Sequence, residues 1–399
     1  MVSNGVKDKG PGKLAIAHRA ATTDIALQAE KSFSAQNYQS LPIVFSRAQG
    51  ASVWDPEGRH YLDFHSASTA LNHGHCHPKL VAALVDQASR LTLTSRAFHN
   101  DVYPQFAEMV TETFGYDRVL PSSTGAEAAE TAIKVARKWA YKVKGVPKDQ
   151  AIILGAAGNH HGRTRGLQPG RLLAPFIVEP IQGDAGVIVA DDEYLREARR
   201  LCDKYRALLI CDEIQTGIAR TGRLLGHYWS GIRPDLVLLG KTMTGGMYPV
   251  SCVLGSNDVM LTVEPGTHGS TYGGNPLGAA VAMRALEVVD EEKLVERAER
   301  LGNILREGLR AVQARNPIIQ TVRGRGLLNA FVIDQSKTDG CLGIELCERM
   351  KEKGLLLKSS RTGVIRIAPP LVVTEDELEK GLEIIKECVE ELSGLSSTG

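Results

Sequence analysis

The sequence predicts an α/β fold in which a mostly parallel sheet is covered by helices on both faces. Three observations carry that expectation. The first is a series of short, continuously apolar runs at 151–154, 176–178, 208–210 and 236–239. A strand with one wet face alternates polar and apolar residues, so runs without alternation belong to strands buried on both faces. The second is that helical patterns lie between these runs, and strands that alternate with helices assemble into parallel sheets. The third is the polar chemistry at the ends of two of the runs: Asp212-Glu213 after one and Gly240-Lys241 after another. In open α/β sheets ligands sit beyond the carboxyl ends of the strands, so polar groups at two such ends point to a site there.

Taken in order, the chain divides into three zones. Residues 1–72 form an N-terminal segment with short strand-like pieces at 42–45, 52–55 and 60–64, separated by Gly and Pro signals. Residues 73–290 carry the alternating helices and apolar runs and make a large domain. Within it, Thr124 and Glu127 have the spacing of a capping box, and Ala129, Ile133, Ala136 and Ala140 mark one apolar helix face. Residues 291–399 make a C-terminal small domain. They read as a charged amphipathic helix (292–314), a strand (327–333), a helix (344–353), a strand (364–368) and a last helix from Thr374, whose Thr-Glu-Asp-Glu start is again a capping pattern.

Composition narrows the classes. A chain of 399 residues exceeds what one core usually supports, and 43% hydrophobic with 23% charged residues is ordinary for a globular protein. A formal net charge of +1 gives no electrostatic reason to invoke nucleic acid or a membrane surface. No apolar run reaches the roughly 18 residues of a membrane span. The first thirty residues lack a secretory apolar stretch and an Arg-rich amphipathic pattern, so a cytoplasmic protein is expected. The seven cysteines form no CxxC pair and read as reduced core residues.

A lysine and an aspartate delivered to one sheet edge suit pyridoxal phosphate, which needs an amine for a Schiff base and a carboxylate to keep its ring nitrogen protonated. Gly125, opening the capped helix, would let a phosphate reach free backbone N–H groups. Gln215, three residues past Asp212, reaches toward the same ligand, and the loop from His268 to Pro276 is rich in hydroxyls and glycine. Singly, each also fits a surface lysine, a well-capped helix or a plain turn; their order along one chain is the stronger signal. His73, His75, Cys76 and His77 are metal-binding types, but their spacing is too crowded to converge on one ion, and no metal is expected.

With these motifs in place the sequence resembles the class III pyridoxal-phosphate aminotransferases, ornithine aminotransferases in particular. The matching stretches include Gly74-His-Cys-His-Pro78, Thr124-Gly-Ala-Glu127, Val178-Glu-Pro-Ile-Gln-Gly183, Asp212-Glu-Ile-Gln-Thr-Gly217, Leu239-Gly-Lys241, Gly269 to Gly278, and Arg366-Ile-Ala-Pro-Pro-Leu371. The resemblance implies a fold-type I transferase with a seven-stranded-type large-domain sheet and a smaller α+β domain from both chain ends. It implies that Lys241 holds the cofactor and shuttles the proton, that Asp212 pairs with the ring nitrogen, and that Gln215 contacts the ring oxygen. Gly125 and Ala126 would bind the phosphate, with Thr271 reaching over from the other subunit of a homodimer. Arg366 would clamp the α-carboxylate of a 2-oxo acid and Arg163 the far carboxylate; Glu179 belongs with the substrate-side residues.

The chain also departs from that family. A tyrosine that helps bind the α-amino-acid end of ornithine aligns with Phe33, and a second pocket tyrosine with Ser68. The aromatic that stacks on the cofactor aligns with His160, and the glutamate that pairs with the carboxylate-binding arginine aligns with Asp184. A long segment of the relatives is missing around 165–177, either trimmed from the protein or lost from its coding sequence. The expected activity is transfer of the terminal amino group of a basic diamino acid, ornithine or lysine, to 2-oxoglutarate, giving a semialdehyde that cyclises. The alternatives are an acetylornithine- or 4-aminobutyrate-type aminotransferase, or a catalytically impaired member that keeps the fold.

Overall fold

The computed structural model describes residues 22–35, 37–38, 40–162, 172–338, 343–359 and 363–395. Two compact units divide the chain. The first comprises Met1–Arg47 and Val53–His60, the second Ala48–Ser52 and Tyr61–Gly399. In the first, the helix Thr23–Phe33 starts at Thr22, whose hydroxyl accepts from the Ile25 N–H. The N–H and the hydroxyl of Thr23 both donate to Glu57 at 2.7 Å. The strand expected at 42–45 is not formed. The Ile43 N–H closes on the Leu41 carbonyl at 2.8 Å instead, a tight turn that takes the backbone out of strand geometry, and the first strand is Arg47–Gln49.

The second unit is built on a six-stranded sheet. Its order is Arg118–Ser122, Ser251–Gly255, Leu236–Leu239, Leu208–Asp212, Leu172–Val178 and Ala151–Gly155. The last four strands run parallel; Ser251–Gly255 is antiparallel to both its neighbours. Both faces are covered, as the uninterrupted apolar runs require. Leu236 and Leu238 pack with Ala129, Ala132, Ile133 and Ala136 of the helix Gly125–Trp139. The alternate residues Val237 and Leu239 turn to the opposite face, against Phe106, Ala279 and Ala282. The expected seventh strand is absent among the described residues. The deficit falls beside the connection between Gly155 and Leu172, where the family's long segment is missing and where 163–171 lie outside the described residues.

A second, antiparallel sheet orders Ile319–Arg325, Leu328–Ile333, Val364–Ile367 and Lys358–Ser359. Its first strand escaped the sequence reading because Gln320, Arg323 and Arg325 leave no apolar alternation, and most of the strand is only half-buried. The short strand Leu355–Leu356 pairs in parallel with Leu62 and Asp63, bringing late and early chain together. The helix expected at 292–314 is Leu294–Arg315, directly preceded by Pro276–Glu291. The last helix, Glu375–Leu395, has the anticipated cap: Thr374 and Glu377 exchange side-chain to backbone bonds.

Arg220 ties distant parts of this unit together from a fully buried position. Its guanidinium donates to Asn72 Oδ1 at 3.0 and 2.7 Å and to the carbonyls of Leu327 at 3.0 Å and Pro369 at 2.5 Å. Among the described residues no helix is long and apolar enough to cross a membrane. Cys202, Cys211, Cys252, Cys347 and Cys388 are free and buried, Cys76 is free and exposed, and Cys341 lies outside the described residues.

Candidate active site

Two neighbouring strand ends make the centre of the site. Leu208–Asp212 and Leu236–Leu239 run parallel with Asp212 opposite Leu238, so Asp212 and Lys241 emerge at the same edge of the sheet. Asp212 is buried, with Oδ1 accepting from the Ile214 N–H at 3.1 Å and Oδ2 facing Nδ1 of His161 at 2.7 Å. Lys241 follows Gly240 into a short 3-10 turn and has a φ of 35°, a conformation that a side-chain-bearing residue adopts only at a cost. Burial lowers the Lys241 ammonium and outweighs the Asp184 and Asp212 carboxylates, which raise it. An amine shifted this way loses its proton more readily, as a nucleophile or base must.

The capped helix start closes against the same point. Thr124 accepts from the Glu127 N–H while the Glu127 carboxylate takes the Thr124 N–H at 2.7 Å, completing the capping box. A Cβ at Gly125 would sit 3.0 Å from Ile214 Cδ1, and one at Gly240 would sit 3.4 Å from Ile214 Cγ1. Ile214 therefore packs at once under the start of the helix and beside the residue before Lys241. The helix N-terminus, with the N–H groups of Gly125 and Ala126, is thereby held next to Asp212 and Lys241. At Gly125 the lack of a side chain is what allows the close approach to Ile214.

The other side of the site is a web around Asp184. Its Oδ1 accepts from Arg366 Nη1 at 2.8 Å and from Gln215 Nε2 at 3.4 Å, and its Oδ2 lies 3.5 Å from His160 Nδ1. Burial raises the Asp184 carboxyl, but Arg366, His160 and Lys241 outweigh it and hold it below the usual carboxylate range. Glu179 is buried, accepting from the N–H groups of His160 at 2.6 Å and Gly183 at 3.3 Å. Burial, with the nearby Asp212 charge, pushes its carboxyl up to about 7. Ser68 sits in a left-handed turn, its hydroxyl 3.1 Å from His65 Nε2. Burial first, then Arg366, brings His65 down to about 4, so the ring is neutral and close to the same arginine.

The structure thus gathers Lys241, Asp212, Gln215, Gly125, Ala126, Glu179, His160, Asp184 and Arg366, with Ser68 reached through His65. Thr271 is exposed on the loop before the helix Pro276–Glu291. Phe33 ends the helix of the first unit and is 91% exposed. Arg163 lies outside the described residues. The sequence reading missed His161 and His65; His161 is fixed by a contact across 51 residues, for which only its place beside His160 gave a signal. His73, His75 and His77 take three separate partners, the Ala285 carbonyl, Asp63 and Glu292. Among the described residues no cluster of His, Cys, Asp and Glu is placed to share an ion.

The chain matches the aminotransferase class-III family over residues 33–168 and 170–389. It belongs to that family. It is 61% identical to the ornithine aminotransferase of Emericella nidulans, covering 99% of this chain and 95% of the relative. That match runs over 439 aligned positions against the chain's 399 residues, as a stretch missing from this chain requires. It is 50% identical to ornithine aminotransferase car2 of Schizosaccharomyces pombe, over 96% of this chain and 97% of the relative. Among solved structures it resembles the ornithine aminotransferase of Toxoplasma gondii, described with pyridoxal phosphate at its active site. The TM-score is 0.91 at 42% identity, over 94% of this chain and 96% of that one. An acetylornithine aminotransferase from Elizabethkingia anophelis has a TM-score of 0.87 at 44% identity, over 93% and 100% of the two chains.

The enzyme is therefore an ornithine-aminotransferase-like, pyridoxal-phosphate-dependent transferase of fold-type I. Its residues fit that cofactor. His161 Nε2 and Gln215 Oε1 are buried without a partner among the described residues, a cost that a polar group bound beside them would relieve. A Cβ on Gly183 would run into the Gln215 carboxamide, so that side chain is confined at the site.

Proposed function

We propose that this enzyme moves the terminal amino group of ornithine to 2-oxoglutarate. The products are glutamate and a semialdehyde whose own α-amine attacks the aldehyde to close a five-membered cyclic imine. The observation that carries the reading is the meeting of Lys241, Asp212 and the Gly125 helix start around Ile214. The ornithine aminotransferases among its relatives support the donor.

When bound, pyridoxal phosphate supplies an electron sink for the carbon that loses its proton. Lys241 would hold the group and carry the proton, helped by a depressed ammonium pKa. Asp212, aimed by the Ile214 N–H and His161, would keep the ring nitrogen protonated. Gly125 and Ala126 would take the phosphate on backbone N–H groups, Gln215 the ring oxygen, and His160 the ring face. Arg366 would receive the α-carboxylate of the oxo acid, where a planar two-pronged donor matches it. Asp184 occupies that guanidinium until the carboxylate arrives. Glu179 would support this side through its bonds to His160 and Gly183. Arg163 is assigned to the far carboxylate, and Phe33 and Ser68 to the donor.

We further infer a homodimer in which Thr271 completes the phosphate site of the second copy; sedimentation of an active monomer would contradict it. The chain is assigned to the cytoplasm, although plant and animal relatives carry mitochondrial names. The division 1–72, 73–290 and 291–399 is kept as the functional layout.

A second donor, lysine, is favoured by one observation: where relatives place a tyrosine, Ser68 puts a small side chain bonded to His65. One methylene is worth only about 1–3 kcal/mol of discrimination, so losing a ring can reverse it. Purified enzyme loaded with pyridoxal phosphate and given 2-oxoglutarate tests both readings. Ornithine turnover supports the first. A preference for ornithine above about a hundredfold, unaltered by Ser68→Tyr, removes lysine. Turnover of acetylornithine or 4-aminobutyrate alone would redirect the assignment, and no turnover with any donor would mean an impaired member.

A further inference from the structure

Two of the positions where this chain departs from its family meet in space. His160 stands where relatives have a stacking aromatic and Asp184 where they have a longer glutamate. Here His160 Nδ1 lies 3.5 Å from Asp184 Oδ2. The other oxygen of the same carboxylate holds Arg366 at 2.8 Å. The backbone of His160 is anchored separately, through its N–H on Glu179 at 2.6 Å. One carboxylate is thus divided between a guanidinium and an imidazole. A hydrocarbon ring at position 160 would take no share of it.

That division has a consequence for an incoming anion. A carboxylate approaching Arg366 must displace Asp184 from it and is repelled by the Asp184 charge. An imidazole nitrogen 3.5 Å from Oδ2 competes with Arg366 for that carboxylate and stays beside it once Arg366 lets go. Lys241 and Gln215 face Asp184 as well, but both are residues that the resemblance to the family retains. His160 is the group that differs from the relatives.

We propose that His160 is a positioning residue for the oxo-acid half of the reaction: by sharing Asp184 with Arg366, it readies the guanidinium for a substrate carboxylate. The inference rests on the reading of Arg366 as the carboxylate receiver and adds to it the residue that sets how tightly that receiver is held.

The test uses cofactor-loaded protein and glutarate, a dicarboxylate that cannot react, with affinity measured by calorimetry and cofactor content read on the same samples by absorbance. His160→Phe should weaken glutarate about two- to fivefold, the scale of a half-exposed ion pair. His160→Asn, which keeps a donor near Oδ2, should recover part of the loss. In an Asp184→Asn background, where there is no charge to share, His160→Phe should change nothing. Equal or tighter glutarate binding by His160→Phe overturns the proposal, as does a loss of the same size with Asn at 184. Arg366→Ala is the control. Unchanged affinity there sinks the carboxylate-receiver reading itself; a loss there with none in His160→Phe sinks this inference alone.

Discussion

The two sides of the site are held by different means. Around Lys241 and Asp212, position is set by backbone: two paired strands fix which residues reach the edge, a capped helix is docked on Ile214, and glycines clear the space. Around Asp184 the groups are joined through their side chains, with Arg366, Gln215 and His160 all meeting one half-exposed carboxylate. Sheet register cannot shift by a residue without turning every side chain to the wrong face, so the first side tolerates little change. A web of polar side chains can be rewired one residue at a time. Two of the departures from the family, His160 and Asp184, fall on the second side, where rewiring is cheap.

If this contrast is right, damage on the cofactor side should be far larger than on the carboxylate side. Lys241→Ala is expected to abolish ornithine turnover by many orders of magnitude while the fold remains; near wild-type rates in steady-state assays would remove Lys241 from the mechanism. Asp212→Asn keeps the Ile214 bond but loses the charge, and proton abstraction should slow by orders of magnitude in single-turnover measurements. A loss below tenfold, about 1.4 kcal/mol, would make Asp212 structural.

The smallest expected effect sharpens the comparison through pH. Glu179 is raised to about 7 from an ordinary 4.5, so between these values the folded chain keeps a proton that the unfolded chain has lost. Stability from this group therefore falls as pH rises through that window and levels off above about 7. The full span is worth on the order of 3 kcal/mol. Glu179→Gln should flatten the decline in urea midpoints of the cofactor-free protein between pH 5 and 8. An unchanged slope would assign the decline elsewhere.

The backbone-held side was the more legible in sequence. A buried strand, a glycine at its end and a capping box are local signals, and Asp212, Lys241, Thr124 and Glu127 all stand as those signals placed them. What stayed hidden was contact between distant residues. His161 reads as an ordinary polar neighbour until the fold puts it 2.7 Å from Asp212, and the link between His160 and Asp184 needs three dimensions. The strand Ile319–Arg325 was missed for a different reason: a half-buried strand with two arginines carries too weak a period to register. No seventh strand stands among the described residues; that expectation came from the resemblance to relatives that are longer at that point.

Arg220 adds a statement about time rather than place. Its side-chain partners lie 148, 107 and 149 residues away along the chain, so none of its bonds can form until very long loops have closed. Contacts of that separation are late events in folding, made after local helices and neighbouring strands have assembled. A clasp absent from the transition state contributes little to how fast the protein folds and much to how slowly it comes apart. If the Arg220 bonds close after that point, the guanidinium is expected to slow unfolding more than it speeds folding, which unfolding rates of Arg220→Met would read.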